Sequence, residues 1–192
     1  MKGLFQYVLI SLICSVHGAD KLSQKDFRQS NWGESKAQVK KNEKTTFSKE
    51  GDSSLEYWDK VVSQDCLVTY TFLKGRLVNA QYLCEIEAPN YKDVFTACMV
   101  YEFLLYKKYG DAKVSEPKWM AGGYDEDDEA DKGKALAHGD YVRRSEYGNS
   151  RTRIIYEANG KNGTVAVRMD YTQRSAKADI EKDVMEKELS KF

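Results

Sequence analysis

Residues 65–85 read DCLVTYTFL-KG-RLVNAQYLCE, two alternating runs either side of Lys74-Gly75. Alternation puts successive side chains on opposite faces of a strand, and a two-residue turn holding Gly lets the chain reverse at once, so the stretch predicts a β-hairpin. Cys66, Val68, Tyr70, Phe72, Val78, Ala80, Tyr82 and Cys84 fall on one face, which is mostly apolar. Thr69, Thr71, Asn79 and Gln81 fall on the other. One buried and one polar face is the signature of an antiparallel sheet covered on a single side.

Working outward, Leu55–Val62 reads as a strand preceding the hairpin. Pro89-Asn90 opens a long helix that Gly110 stops after Tyr109. At 100° per residue Val94, Phe95, Cys98, Leu105 and Tyr109 centre one face, yet Met99, Val100, Phe103 and Leu104 lie outside it. The helix is therefore apolar nearly all round. It is either buried on two sides or presents a second surface. Residues 111–139, with Pro117, Gly122-Gly123 and an acidic run, read as one long mobile loop. Three strands follow near 140–147, 151–158 and 164–172, the last with Val165, Val167, Met169 and Tyr171 on one face. A charged helix from Ser175 closes the chain, with Ile180, Val184 and Leu189 as its apolar positions. Before the hairpin, residues 19–46 read as irregular apart from one short helix. There Ser35-Lys36-Ala37-Gln38 has the form of a capping box, and Val39 points inward. The order α-βββ-α-βββ-α predicts an α+β fold: two three-stranded meanders in an antiparallel sheet, with helices on one face.

Residues 1–18 carry Lys2 ahead of an apolar run of signal-peptide length, with Val16 and Gly18 at the −3 and −1 places of a cleavage site, or Ala19 at −1 one residue later. A bilayer span needs about 20 apolar residues, which this run does not reach, so no transmembrane span is expected. Ile13 before Cys14 is too bulky for a lipidation signal. Residues 19–192 are then one exported domain, periplasmic or secreted. With 30 basic and 30 acidic side chains among 192 residues there is no basic excess, which argues against nucleic-acid binding. In an oxidising compartment Cys66 and Cys84 are candidates for a disulfide, and Cys98 on the long helix is a rival partner for either.

Phe27-Arg28-x3-Trp32-Gly33-x-Ser35-x3-Val39-x3-Glu43 resembles the opening of a group of bacterial exported proteins that carry no assigned activity, although Glu34 stands where they usually have Met. More distantly, a small residue and Ser opening a helix before an antiparallel sheet is similar to β-lactamase-inhibitory protein and to the small outer-membrane-assembly lipoprotein. That likeness implies a binding protein rather than an enzyme, at the level of fold alone.

Several chemistries find little support. Asp125, Asp127, Glu129 and Asp131 alternate as oxygen ligands for Ca²⁺ can, but Ala130 and Leu136 occupy the Gly and Glu places of an EF-hand loop. They read better as a solvated loop. His138, the one His outside the leader, lies in no nucleophile motif, and Gly-x-Ser-x-Gly is absent. Arg143, Arg153 and Arg168, with Arg144 and Arg151, fall in the closing meander as candidates for anion binding, but Glu146 and Glu157 are interspersed. Thirteen Tyr and three Trp are many for this size; core packing accounts for most of them, and Tyr57, Trp58, Tyr101, Tyr106 and Trp119 are candidates for a recognition surface. The reading is a non-enzymatic domain, without cofactor, that binds another envelope or secreted protein. The alternative is a small-molecule or calcium-binding periplasmic module.

Overall fold

The hairpin forms from β3 (Gln64–Leu73) and β4 (Arg76–Ile86) around Lys74-Gly75, whose φ values of 50° and 74° give the mirror-image turn that matches strand twist. This is a computed structural model, and it describes residues 25–189; the leader, its cleavage site and Cys14 lie outside the described residues, as does the side chain of Val184. One detail of the expected pairing shifts. A bulge puts Thr71 opposite Asn79 but Phe72 opposite Leu77, so Leu77 takes the inner place expected of Val78 and both are buried.

β2 (Ser54–Val61) pairs with β3 as expected. A further strand, β1 (Thr46–Glu50), pairs with β2 at the sheet edge, so the first meander has four strands rather than three. All five β1 residues are exposed, so no apolar alternation announced it. The closing meander is β7 (Tyr141–Gly148), β8 (Thr152–Lys161) and β9 (Thr164–Gln173). β4 pairs with β9, which joins the two meanders into one antiparallel sheet of order β1-β2-β3-β4-β9-β8-β7-β5. The two-residue strands β5 (Val114–Ser115) and β6 (Lys118–Trp119) both line β7.

The short helix α1 (Lys36–Asn42) carries the full Ser35–Gln38 capping box and buries Val39. α2 (Tyr91–Tyr109) is N-capped by Asn90 and stopped by Gly110 at φ 81°. The segment 111–139 is not the single loop expected: besides β5 and β6 it holds α3 (Glu129–His138). The acidic run is the start of that helix. Asp128 accepts from the Ala130 and Asp131 amides, and carboxylates favour this end because unpaired N–H groups point out of it. α3 escaped the pattern reading because its buried stripe is only Gly133, Ala135, Leu136 and Ala137. Gly133 is where α2 crosses: a Cβ there would sit 1.8 Å from the Tyr91 carbonyl oxygen. α4 (Lys177–Leu189) follows a single 3-10 turn, with Ile180 half-buried and Met185 and Leu189 exposed.

Register assigns the faces. Leu55, Tyr57, Val68, Tyr70, Val167, Tyr156 and their row partners form the inner face. Phe27 sits on it against Tyr70, Tyr82 and Tyr171, with ring centroids 4.9–5.3 Å apart. α2 ties down over it through Tyr156, whose hydroxyl donates to the Cys98 carbonyl (2.8 Å), and through Tyr101, whose hydroxyl donates to the Val61 carbonyl (2.7 Å). The opposite face carries none of these helices.

Candidate docking face

The uncovered face is organised by one row that runs straight across six strands. Pairing places Trp58, Leu67, Leu83, Arg168, Glu157 and Arg144 side by side on β2, β3, β4, β9, β8 and β7. Neighbours in such a row lie within contact distance, so the row is the unit in which a sheet surface presents itself. Its first half is apolar: Trp58 is 49% and Leu83 38% exposed, with Leu67 half-buried between them. Its second half is charged and internally neutralised, Glu157 lying 3.4 Å from Arg144 and 3.6 Å from Arg168. Arg168 also meets Asp170 at 3.0 Å, which in turn accepts from Gln81 at 2.6 Å. Around Trp58, Leu67 and Leu83 the surface dips into an open depression of about 730 Å³, with Glu85 and Glu87 on its rim. The side chains of Glu85 and Glu87 have no ion-pair partner among the described residues.

The three candidate anion-binding arginines do not converge. Arg143 is turned to the inner face, where its Nε and the hydroxyls of Ser145 and Tyr147 all donate to the Glu102 carboxylate. Glu102 is 6% exposed, so this is a buried ion pair locking α2 to β7. Burial, then the adjacent Glu102 charge, pushes the Tyr147 hydroxyl up to about 12. Arg153 and Arg168 lie on the open face, each already matched to a carboxylate, Arg153 to Glu146 at 2.8 Å. Adjacent residues of a strand face opposite ways, and that parity splits the cluster.

Two of the four acidic candidates, Asp125 and Asp131, serve the backbone, and a third pairs with a lysine. Asp125 Oδ1 accepts from the Asp127 amide, Asp131 Oδ2 from the Asp125 amide, and Glu129 reaches Lys92 at 3.5 Å. Among the described residues no three His, Cys, Asp or Glu side chains gather as metal ligands. His138 is exposed, its Nδ1 3.4 Å from the Tyr124 hydroxyl, which donates to Asp140 at 2.6 Å. Tyr124 and Tyr141 flank Trp119, which is only partly exposed. Of the five aromatics named as recognition candidates, Tyr57 and Tyr101 are core residues, while Trp58 and Tyr106 are exposed.

Cys66 and Cys84 stand directly opposite and are joined, and Cys98 is the free thiol, buried and pushed up to about 12 by its burial. Such a thiol is inert as a nucleophile at neutral pH.

What the sequence reading did not find is a polar network under α1, built by the opening motif itself. Arg28, held at φ 50°, donates to Asp59 (2.6 Å) and to the Tyr82 hydroxyl (3.2 Å), and its Nε lies 2.9 Å from Glu43. Glu43 also accepts from the Tyr70 hydroxyl at 2.5 Å and from the amides of Lys44 and Thr45. Burial alone would raise the Glu43 carboxyl; Tyr70, Arg28 and the two amides outweigh it and hold it below its ordinary range. Trp32 Nε1 donates to Thr152 Oγ1 at 2.9 Å, and the Gly33 amide to the Leu77 carbonyl at 2.8 Å. The motif thus plugs one end of the inner face. Its signal was the spacing of Arg28 and Glu43, which pattern reading of apolar residues passes over.

No family model, curated protein or solved structure matches this chain. Among the described residues no helix is long and apolar enough to cross a membrane.

Proposed function

We propose that this is an exported, non-enzymatic binding domain that takes another envelope or secreted protein on the open face of its sheet. The observation that carries the reading is the uncovered row Trp58–Leu67–Leu83, continuous with the charged half Arg168–Glu157–Arg144. Leaving Trp and Leu in water forfeits their burial, whereas Trp and Arg together are the side chains that dominate protein–protein hot spots. The face is large enough. Six strands, each about 4.8 Å wide, and eight residues at about 3.3 Å rise give roughly 29 by 26 Å, close to the ~800 Å² one partner contributes to a standard interface. The free carboxylates of Glu85 and Glu87 beside the apolar half favour a partner whose apolar contact is flanked by Lys or Arg. Export is supported by the leader-like residues 1–18 and by a disulfide that persists in an oxidising compartment.

The test is a photo-crosslinking residue placed at Leu83 or Trp58, and in controls at Lys41 or Lys161, in living cells. One envelope or secreted protein joined from the first two positions and not from the controls is the expected result. Adducts from neither test position, or the same adducts from all four, would reject the reading.

A further inference from the structure

α2 has an outward side as well as an inward one. Its buried stripe, Val94, Cys98, Tyr101, Glu102 and Leu105, faces the sheet. On the helix wheel Val100, Phe103, Leu104 and Lys107 point the opposite way. Phe103 is 53%, Leu104 47% and Tyr106 46% exposed. α3 leaves them bare, because it crosses α2 at the other end, where Gly133 meets Tyr91.

Within the second half of the helix itself the charges beside this stripe have one sign, and the next acid, Asp111, lies beyond Gly110. Asp93 and Glu102 are the only acids of α2, and Glu102 is committed to Arg143 inside. From Phe103 to Tyr109 the helix carries Lys107 and Lys108 and no acid. Among the described residues neither lysine has a carboxylate partner. Instead Lys107 Nζ lies over the rings of Phe103 (5.1 Å) and Tyr106 (6.0 Å), and Lys108 Nζ over Tyr109 (5.1 Å). Other surface lysines, such as Lys49, Lys118 and Lys134, also lack an ion-pair partner among the described residues, but only Lys107 and Lys108 share a helix turn with three exposed bulky side chains, Phe103, Leu104 and Tyr106. Bulky apolar groups sharing an exposed helix turn with unmatched lysines form the pattern by which a helix lies in a membrane interface. The rings enter the acyl boundary and the ammonium groups reach the phosphates.

We infer that the outward stripe Phe103–Leu104–Tyr106–Lys107, with half-buried Val100 at its start and Lys108 on its flank beside Leu104, is a docking surface for an anionic lipid bilayer. A second copy of the chain fits poorly. The stripe spans about two turns of one helix, far short of the 1,200–2,000 Å² of a stable protein interface, and pairing it with itself would bring unmatched lysines together. A bilayer needs no complementary shape and supplies the missing negative charge. Because α2 and the open row are on opposite sides of the sheet, lipid on one leaves the other free.

The full chain without residues 1–18 is mixed with sedimentable vesicles of phosphatidylglycerol and phosphatidylethanolamine, and with vesicles of phosphatidylcholine alone, at 50 mM and 500 mM salt. The expected result is co-sedimentation with the anionic vesicles only, largely abolished by high salt. Each basic residue near an anionic surface is worth about fivefold in binding, so Lys107→Glu/Lys108→Glu should weaken it by at least about 30-fold. Phe103→Ser/Leu104→Ser should also release it, while the charge-matched Lys41→Glu/Lys161→Glu control should bind as the parent does. Circular dichroism checks that each variant is folded. Failure to bind anionic vesicles, equal binding to phosphatidylcholine, equal loss in the control, or loss of Phe103 and Leu104 exposure through dimerisation in solution would each overturn the inference.

Discussion

Arg143 and Arg144 are neighbours in the chain and lie on opposite faces of the sheet. Arg143 faces inward to Glu102, with 20% and 8% of the two side chains exposed; Arg144 faces outward to Glu157, with 47% and 16% exposed. The chemistry of the two pairs is the same and the surroundings differ. On the inner face the pair is screened by protein, and every oxygen of Glu102 has a donor. On the outer face water competes for each contact. The difference teaches that the inner pair fixes α2 over the sheet, whereas the outer pair leaves a surface that another molecule can occupy without disturbing the fold.

The sharpest way to break this comparison is to remove one partner from each pair. Glu102→Ala leaves Arg143 buried and uncompensated and should cost about 3–5 kcal/mol. Glu157→Ala should cost less than about 1 kcal/mol, as exposed pairs do. Urea unfolding of the two variants measures both, and equal losses would mean that the faces do not differ as described. The disulfide offers the next largest effect, since Cys66 and Cys84 are both fully buried on the inner face. Replacing both by Ala reopens a loop of 18 residues in the unfolded chain and should cost about 3 kcal/mol, read from the same transition.

Acid sharpens the contrast from another side. Glu43 is titrated in the folded protein below its ordinary range, so the stability it contributes is complete above about pH 4.3, its unfolded value, and is lost as pH falls through the folded value. Melting temperature followed from pH 6 to pH 2 should show that loss, and Glu43→Gln should flatten that part of the curve. If the variant keeps the full acid dependence, the network under α1 is not where the protons bind. The smallest effect belongs to the open face: Trp58→Ala and Leu83→Ser should each change stability by less than about 0.5 kcal/mol, the ordinary size for surface substitutions. A loss of several kcal/mol at either site would show that the row is structural, and would remove the ground for reading it as a docking face.

Much of this architecture could be read before any coordinates. The hairpin was legible because Lys74-Gly75 marks a turn and the flanking runs alternate. α1 was legible from its capping box, and α2 from Asn90, Gly110 and an apolar stripe. β1 and α3 were not. β1 is held by backbone pairing with β2 and buries nothing, so its residues carry no periodic signal. α3 is stabilised by its cap and by close contact at Gly133, which appears in sequence as a helix-weakening residue. The row on the open face was legible only at Trp58, named among the recognition candidates; Leu67 and Leu83 lie on two other strands, and each alone looks like an ordinary apolar strand residue.

By itself, then, the sequence determined what is local. Turn chemistry, caps and side-chain period are written in consecutive residues, and they set the α+β class and the antiparallel order within each meander. Only the tertiary structure decided which surfaces face one another. It paired β4 with β9, chose Cys66–Cys84 over any bond to Cys98, and sent Arg143 inward and Arg144 outward. Those outcomes depend on register between segments up to a hundred residues apart. A shift of one residue exchanges the two faces of a strand, so no single segment could specify them.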